Sequence, residues 1–283
     1  MTESASASAP ASTANLGPAF DCMALALKPR CTVHAQPADE WSVEHVGGHR
    51  PGNGEGDGVL VAARRAVGES RPLTLKVDSE IPIGKGLGSS AAAFVAGTAA
   101  ALRAVGEEPP HDRVFRLAAE MEGHPDQVAA SVYGGLIMVP AEGLPMRLPL
   151  HPSLRPVVAV PDTRLPTEEA RAVLARNLPR DLVIRSLARV AALTAGLISG
   201  DPELLAAAHG DEIHEAPRDH LSPEVGRLIE VARRAGAFHA ARSGAGPSVV
   251  AIVGLEAVDS VSRAFRKAGA EVINDAIDTA GLV

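Results

Sequence analysis

The chain has 283 residues, of which 46% are hydrophobic and only 2% aromatic, and its formal net charge at pH 7 is −7. This length accommodates one large domain or two smaller ones, and the composition predicts a sizeable aliphatic core. Nucleic-acid binding usually needs a basic face or aromatic stacking platforms, and the sequence shows neither. The two cysteines, Cys22 and Cys31, form no disulfide framework or zinc pattern, which is typical of reduced thiols in a cytosolic protein.

The sequence shows no targeting or membrane segment. Residues 1–10 are rich in Ser and Ala and contain no Lys or Arg, so they lack the basic and apolar regions of a signal peptide. No apolar run reaches the length of a membrane span, and the longest, over residues 91–102, is interpreted as a buried helix. We therefore expect a cytoplasmic protein without a membrane or nucleic-acid partner.

Apolar periodicity and turn signals predict the elements in chain order. We expect a weakly structured start over residues 1–10, a short helix or strand over 23–27, and a glycine-rich loop over 46–58. Strands are predicted over 31–35, 41–45, 73–77, 136–139, 155–160, 238–241, 249–253 and 271–274. Helices are predicted over 59–67, 91–105, 112–121, from 126 onward, 184–198, 202–209, 223–235 and 256–268. The chain has no internal repeat.

The first motif is Pro10-Ala-Ser-Thr-Ala-Asn-Leu-Gly-Pro-Ala-Phe-Asp21. Asn15 and Asp21 are polar side chains that can meet a ligand. They can equally serve turns, Asn15 before a Leu-Gly-Pro turn and Asp21 as a helix cap. The motif alone leaves both interpretations open.

The second motif is Glu80-Ile-Pro-Ile-Gly-Lys-Gly-Leu-Gly-Ser-Ser-Ala-Ala-Ala93. Its alternate glycines allow close backbone approach, and a helix that begins near Ser89 and Ser90 adds unpaired N–H groups and the positive end of its dipole. Such a loop suits a phosphate, with Lys85 as a mobile charge and the Ser90 hydroxyl within reach of magnesium. It fits neither the Walker nor the dinucleotide spacing. A simple tight turn before an apolar helix is the alternative.

The third motif concentrates four polar groups, Glu120, Glu122, His124 and Asp126, within seven residues. Acidic residues beside a phosphate loop can hold magnesium, which prefers oxygen ligands. The alternative is a solvated helix end that Asp126 caps.

Three features stand out in the second half of the chain. Thr167 has the character of an N-cap, and Arg171 follows one turn later. The segment 209–219 holds His209, His214 and Arg218, but its spacing matches no usual zinc motif. The glycine turn 242–248 is either an ordinary hairpin or a second wall of the site.

Together these motifs resemble the GHMP kinase superfamily, and in particular the homoserine kinases. That family reads P-A-T-S-A-N-L-G-P-G-F-D at the first motif, P-x-G-x-G-L-G-S-S-A-A at the second and E-G-H-P-D-N-V-A at the third. Its S-T-E-x-A-R-A-V-L-P segment resembles residues 166–174, and H-Q-P-x-R resembles 214–218. The matches extend from residue 10 to residue 248, so the resemblance covers nearly the whole chain.

The resemblance implies an α/β fold of the two-layer α+β type, with an open nucleotide cleft between two domains, residues 1–150 and 151–283. It implies transfer of the γ-phosphate of ATP, with Mg²⁺, to the side-chain hydroxyl of L-homoserine, giving O-phospho-L-homoserine in threonine biosynthesis. The alternatives are a kinase for another amino alcohol such as threonine, or a non-catalytic ligand sensor. The family also suggests a homodimer.

The resemblance further implies roles for individual residues. The nucleotide would contact Pro82, Gly84, Lys85, Gly86, Leu87, Gly88, Ser89, Ser90 and Ala91. The amino-acid substrate would contact Asn15, Asp21, His124, Gln127, Thr167, Arg171, Arg218 and Gly244. Asp21 would meet its ammonium, and Arg171 and Arg218 would clamp its carboxylate. Ser90 and Glu120 would hold magnesium, with Glu122 as second choice. The catalytic group would comprise Asn15, Lys85, Glu120, Asp126 and Gln127, with Asp126 as an organiser.

The chain departs from the family pattern on the substrate side. Gln127 replaces Asn, Ala19 replaces Gly and Cys22 replaces Ser, and Ser-Ala repeats make a poor strand before the first motif. The nucleotide motif is intact. The resemblance therefore bears more directly on kinase activity than on the identity of the acceptor.

Overall fold

The computed structural model describes residues 4–51, 54, 56–274 and 277–283, and part of the predicted loop 46–58 lies outside them. The strands are β1 (Ala5–Ala14), β2 (Met23–Pro37), β3 (Ser42–His45), β4 (Leu73–Ser79), β5 (Leu136–Met138), β6 (Met146–Leu148), β7 (Leu154–Val160), β8 (His239–Arg242), β9 (Val249–Gly254) and β10 (Glu271–Ile273). The helices are α1 (Gly58–Val67), α2 (Ser89–Ala104), α3 (His111–Glu122), α4 (Pro125–Tyr133), α5 (Thr167–Ala172), α6 (Arg180–Ser199), α7 (Pro202–Ala207), α8 (Glu224–Arg234) and α9 (Val258–Lys267).

Two sheets organise the chain. The first has strand order β3-β4-β2-β5-β6, with β1 also paired to β2, and the second has order β10-β7-β9-β8. Strands of the second sheet are apolar on both faces: in β7, Val158 packs into the core shared with the first sheet, whereas Val157 packs into a smaller core with α8 and α9. Continuous apolar runs are expected for strands covered on both faces.

The N-terminal segment is a strand, which corrects the expectation of a weakly structured start. Residues from Ala5 to Ala14 pair antiparallel with β2 over its length. Ala7, Ala9 and Ala11 are buried, so the Ser-Ala repeat is an inward-facing alternation of small side chains. The small residues fit against α2, whose buried face is also mostly alanine. Residues 1–3 lie outside the described part of the chain.

The long helix α6 corrects the expectation about membrane-length segments. Among the described residues it is the one helix that is long and apolar enough to cross a membrane, with a mean hydropathy of 1.6 and 22% of its most apolar window buried. Arg185 and Arg189 interrupt the apolar run in the sequence, and in the structure both pair with Glu212. Leu193 and Leu197 of this helix are buried in the large core.

The last residues of the chain return to the first sheet. Ile277 forms a bridge with Leu27, Ser8 and Val283 exchange backbone hydrogen bonds, and Asp278 pairs with Arg30. The segment 277–283 therefore packs against β1 and β2, although most of the second half of the chain surrounds the second sheet.

Candidate active site

The glycine loop over residues 82–91, which we call the phosphate loop, lies between the first motif and the glycine turn 242–248. Gly84, Gly86 and Gly88 all have positive φ, between 69° and 74°. A Cβ at Gly86 would overlap the Ser243 carbonyl oxygen, and a Cβ at Gly88 would overlap Ser12 Oγ. Glycine is therefore required both by the backbone conformation and by close packing.

The start of α2 presents hydrogen-bond donors at the end of this loop. The cap residue Gly88 has no side chain to bind the first helical N–H groups, so these groups are available to an anion. Ser90 Oγ donates a hydrogen bond of 2.7 Å to Glu122 Oε2 from the end of α3. Two side-chain oxygens thus meet where the helix begins.

A cleft of about 550 Å³ opens beside the loop. It brings together segments that are far apart in the sequence. It is lined by Ala14, Asn15, Phe20, Asp21, Gly84, Gly86, Leu87, Gly88, Ser89, Ser90, Glu122, His124, Asp126, Gln127, Thr167, Arg171, Arg218, Gly244 and Ala245. This cleft is therefore lined by every residue that the resemblance assigned to the acceptor, together with most of the phosphate loop.

The first motif enters the cleft in a strained conformation. Asn15, Leu16 and Asp21 have φ of 70°, 47° and 56°, which non-glycine residues rarely adopt. The Asn15 amide stabilises this shape: Nδ2 donates to the Gly244 carbonyl at 3.0 Å, and Oδ1 accepts from the Asp21 N–H at 3.0 Å. Such conformations persist only where the surrounding structure enforces them, and they cluster at functional sites.

Asp21 and Arg171 form a two-pronged ion pair in the cleft. Asp21 Oδ1 lies 2.6 Å from Arg171 Nη2, and Oδ2 lies 3.1 Å from Nη1. Both side chains are about one-third exposed. The pair therefore presents one negative and one positive side chain in the cleft, and both are accessible to a ligand.

Arg218 adds a second positive charge. It is 1% exposed, and it donates from Nε to the Ala170 carbonyl and from Nη1 to His214 Nδ1, both at 2.8 Å. Burial lowers the pKa of Arg218 to about 10, which still leaves a cation at neutral pH. Within the described residues no direct ion pair joins it to a carboxylate, and Asp21 and Asp211 attract it only from a distance.

Glu122, His124 and Asp126 form a row along one side of the cleft. His124 Nε2 lies 3.6 Å from Glu122 Oε1, and His124 Nδ1 lies 3.7 Å from Asp126 Oδ1. Burial raises the pKa of Glu122, against the opposing charge of His124. Burial alone would lower the pKa of His124, but Asp126 and Glu122 outweigh it and raise that pKa.

Glu120 does not reach the cleft, which corrects its expected place beside Ser90. Its side chain is 60% exposed and pairs with Arg65 at 3.1 Å. Residues two apart on a helix point to nearly opposite sides, so α3 can present only one of Glu120 and Glu122 to Ser90. The structure presents Glu122.

Lys85 also differs from its expected position. Its Nζ donates to the carbonyls of Pro161 and Thr163 at 2.6 and 2.7 Å, so it joins the phosphate loop to the segment after β7. Burial lowers the pKa of this amine. Pro82 and Ala91 line neither this cleft nor the second one beside it; Ala91 is fully buried.

A second cleft of about 710 Å³ adjoins the first at Ser89 and Ser90. It is lined by Cys31, His45, His49, Pro51, Gly56, Asp57, Gly58, Val59, Val77, Ser79, Ile83, Ser89, Ser90, Ala93 and Phe94. His45 Nε2 lies 2.7 Å from Asp57 Oδ2, and Asp57 also caps α1. Sequence reasoning missed both residues; the position of Asp57 directly before a helix was the available signal.

Sequence reasoning also missed Phe20, whose ring lies under both arginines. The guanidinium carbons of Arg171 and Arg218 are 5.4 and 5.6 Å from its centroid. The His-rich segment 209–219 supplies contacts instead of a metal site: in the part of the chain that the structure describes, no group of three or more His, Cys, Asp or Glu is arranged to hold a metal ion.

The chain is similar in sequence to proteins of a known family. Residues 57–135 match the family described as GHMP kinases N terminal domain, and residues 193–271 match GHMP kinases C terminal. A homoserine kinase of Thermus thermophilus is 42% identical over 250 residues, which cover 86% of this chain and 85% of that protein. A homoserine kinase of Deinococcus radiodurans is 36% identical, with coverage of 86% and 82%.

Solved structures agree with these sequence matches. The homoserine kinase of Cytophaga hutchinsonii superposes with a TM-score of 0.88 at 26% identity, covering 100% of this chain and 98% of that one. A mevalonate kinase of L. major, at 16% identity and a TM-score of 0.72, shares the fold; coverage is 99% and 97%. The predicted mixed α/β fold and the resemblance drawn from the motifs are thus confirmed. The chain belongs to the homoserine kinases of the GHMP kinase family, and it is an ATP-dependent phosphotransferase that acts on a hydroxyl group.

Proposed function

We propose that the protein transfers the γ-phosphate of ATP to the side-chain hydroxyl of L-homoserine, giving O-phospho-L-homoserine for threonine biosynthesis. The observation that carries this proposal is the acceptor cleft, where the Asp21–Arg171 pair and the buried Arg218 lie beside the phosphate loop. One negative and two positive side chains match the ammonium and carboxylate of an amino acid. The names of the relatives support homoserine in particular.

The nucleotide occupies both clefts in this proposal. Its phosphates lie over residues 84–90, where the glycine backbone and the first N–H groups of α2 face them. Its base enters the second cleft, where Phe94 and Val77 supply apolar surface and the His45–Asp57 pair supplies polar groups. The shared residues Ser89 and Ser90 then lie where the two substrates meet.

Ser90 and Glu122 would hold the magnesium ion. Their oxygens already lie 2.7 Å apart, and magnesium is usually bound by one or two protein oxygens together with phosphate oxygens. When bound, the ion neutralises charge on the transferring group. His124 lies beside Glu122 and favours the ionised carboxylate that a metal ligand needs.

The acceptor is held by charge and by shape. Its ammonium replaces Arg171 as the partner of Asp21, and its carboxylate meets the guanidinium groups of Arg171 and Arg218, whose planar forks suit a carboxylate. Its hydroxyl then points toward the wall formed by Asp126 and Gln127. Thr167, at the start of α5, closes the opposite side.

The transfer step needs positioning more than a strong base. Asp126 is 2% exposed, accepts from the Gln127 N–H at 2.9 Å and lies near His124, so we assign it the role of an organiser. Lys85 keeps the phosphate loop against the segment 161–163 through its two carbonyl contacts.

A second candidate acceptor is threonine, and Gln127 is the observation that favours it. Gln127 is 8% exposed and does not turn to solvent. Its Nε2 would lie 2.9 Å from a Cβ placed on Gly244, so the amide packs against that backbone. Because Gln is longer than the Asn of the family pattern, it shortens the cleft, which favours an acceptor whose hydroxyl is one carbon closer to the α-carbon.

We also propose a cytoplasmic homodimer. The cysteines are free thiols, which suits a reducing compartment. The outward face of α6 carries Ile184, Leu187 and Ile198, which are 56%, 64% and 39% exposed and recur at helical spacing. An apolar stripe of this kind favours burial against a second copy. Light scattering after size exclusion tests the dimer directly, and a monomer in the Leu187→Glu variant would support this face.

The experiment for the proposed function is an acceptor panel with Mg-ATP. We expect ADP release and a phosphomonoester signal in ³¹P NMR with L-homoserine, and a much lower kcat/KM with threonine and serine. A preference for threonine that moves toward homoserine in Gln127→Asn would establish the second candidate instead. No turnover of any amino alcohol would contradict both.

A further inference from the structure

Three consecutive residues of the first motif have left-handed backbone conformations. Asn15, Leu16 and Gly17 have φ of 70°, 47° and 84°. Side chains other than glycine disfavour this region, so two of the three positions need support from outside the turn. The turn directly precedes Phe20 and Asp21, which line the acceptor cleft. Contacts that stabilise the turn therefore also fix the positions of Phe20 and Asp21 in the acceptor cleft.

Two buried histidines from the second half of the chain bind the turn. His239 Nε2 lies 2.9 Å from the Leu16 carbonyl oxygen, and His214 Nε2 lies 2.7 Å from the Gly17 carbonyl oxygen. Both side chains are 0% exposed. A carbonyl oxygen only accepts, so each Nε2 must carry the proton. Two consecutive carbonyls of the strained turn thus each receive an imidazole N–H.

The charge state of His214 follows from its second nitrogen. Nδ1 accepts from Arg218 Nη1 at 2.8 Å, so the ring is neutral with its proton on Nε2. Burial lowers the pKa of His214 to about 4 and that of His239 also to about 4. Neither ring carries a charge at neutral pH, so the turn is held without adding charge to the cleft.

His214 also contacts the ring under the arginines. It stacks on Phe20 with a centroid distance of 4.8 Å and an interplanar angle of 16°. Arg171 and Arg218 lie over the same Phe20 ring. The one imidazole therefore touches the turn, the aromatic ring and Arg218 at once.

We propose that His214 and His239 are positioning residues for the acceptor. Their neutral imidazoles hold the left-handed turn, and through it they set Asp21, Phe20 and the two arginines in the arrangement that binds an amino acid. This inference deepens the proposed function and rests on it for the identity of the acceptor.

A direct backbone contact between the phosphate loop and the first motif lies before the turn, and the link from Asn15 through Gly244 to Gly86 involves neither histidine. The Ser12 N–H donates to the Leu87 carbonyl at 3.0 Å, three residues before the turn begins. Loss of the histidine contacts should therefore displace the acceptor groups and leave the phosphate loop in place. A residue that only stabilised the fold would affect both substrates alike.

The kinetic test pairs two substitutions at each histidine. Leucine removes the donor, whereas glutamine can place an amide N–H near the position of Nε2. We expect His239→Leu and His214→Leu to raise the KM for homoserine by about tenfold or more and the KM for ATP by less than about twofold. His239→Gln and His214→Gln should recover most of the loss. Equal increases in both KM values, or no recovery with glutamine, would overturn the proposal.

A matched control is His209→Leu. His209 stacks on His239 at 5.0 Å, and among the described residues it forms no hydrogen bond with the turn, which His239 binds. It should leave the KM for homoserine within about twofold of the parent value. A tenfold increase in this variant would assign the effect to packing around His239 and overturn the role of its hydrogen bond.

Side-chain ¹⁵N NMR of the unmodified protein tests the same idea without substitutions or turnover. His214 and His239 should both be neutral Nε2–H tautomers between pH 6 and 8. An Nδ1–H tautomer or a charged ring at either position would overturn the proposal. If both tautomers are as expected but homoserine is not phosphorylated, the positioning role stands for another acceptor and the proposed function fails.

Discussion

The phosphate loop and the acceptor cleft face each other, but they are built differently. The loop presents backbone: alternate glycines with positive φ and the open start of α2. The acceptor cleft presents buried and half-buried side chains, which are held by contacts across more than 100 residues of sequence, such as Asn15 to Gly244 and Asp21 to Arg171. The loop depends on the absence of side chains, whereas the cleft depends on a network that fixes their positions.

This difference suits the two substrates. A phosphate chain has many equivalent oxygens, and any N–H directed at it contributes. An amino acid has one ammonium, one carboxylate and one hydroxyl, each of which needs its own partner. The cleft therefore combines a strained turn with neutral histidines and stacked arginines, whereas the loop requires only glycine and a helix.

Substitution in the loop should have the largest effect. In Gly86→Ala the new Cβ overlaps the Ser243 carbonyl and the residue keeps a φ of 74°. We expect ATP binding, measured by calorimetry, to fall by at least about 100-fold, with a loss of unfolding free energy of about 2–4 kcal/mol. Gly143→Ala is the control, because Gly143 also has positive φ but nothing lies within 4 Å of its added Cβ. Normal ATP binding by Gly86→Ala would contradict the loop assignment.

The next prediction separates the two glutamates of α3. Glu122→Gln removes the carboxylate that meets Ser90 and should lower kcat by about 100-fold or more. Glu120→Gln removes a carboxylate that pairs with Arg65 at the surface and should change kcat by less than about twofold. Steady-state kinetics at saturating magnesium measures both. The opposite order would return the metal to Glu120.

The arginines should affect one substrate more than the other. Arg171→Lys and Arg218→Lys keep the charge but lose the planar fork. We expect each to raise the KM for homoserine by about tenfold to 100-fold and the KM for ATP by less than about twofold. Arg185→Lys, at the surface beside Glu212, is the matched control. A larger change in the ATP KM would move these arginines to the nucleotide.

The smallest expected effect is on the pH dependence of stability. Burial lowers the pKa of His239 from 6.5 to about 4, so between these values the unfolded chain binds more protons than the folded one. The His239 contribution is complete above pH 6.5 and is lost as the pH falls toward 4. As the pH falls from 6.5 toward 4, the unfolding free energy of the parent should therefore decrease more steeply than that of His239→Gln. The two slopes should differ by on the order of 1 kcal/mol per pH unit. Equal pH slopes of the unfolding free energy for the two proteins, measured by denaturant titration, would show that burial does not lower the pKa of His239.

Backbone features of the site were readable from the sequence, because glycine spacing specifies them locally. The choice of Glu122 over Glu120 was also within reach. Val114 and Ala118 are buried in α3, and Glu122 continues the same four-residue spacing on the face toward the core. The strand β1 was missed because its inward side chains are only alanine, although their period of two was present.

The acceptor network could not be predicted in the same way. Phe20 and His214 stack across 194 positions of the sequence, and His239 reaches Leu16 across 223. No local pattern marks such pairs, because the contact exists only once the second sheet has packed against the first motif. Long-range contacts also determine the position of Lys85, whose two carbonyl partners lie 76 and 78 residues away.

The central claim is that the acceptor cleft recognises both charges of an amino acid. The most direct measurement compares kcat/KM for L-homoserine with kcat/KM for two analogues. 3-Amino-1-propanol lacks the carboxylate, and 4-hydroxybutyrate lacks the ammonium. We expect kcat/KM to fall by at least about 100-fold for each analogue, while the KM for ATP stays constant. Equal kcat/KM for homoserine and either analogue would contradict it.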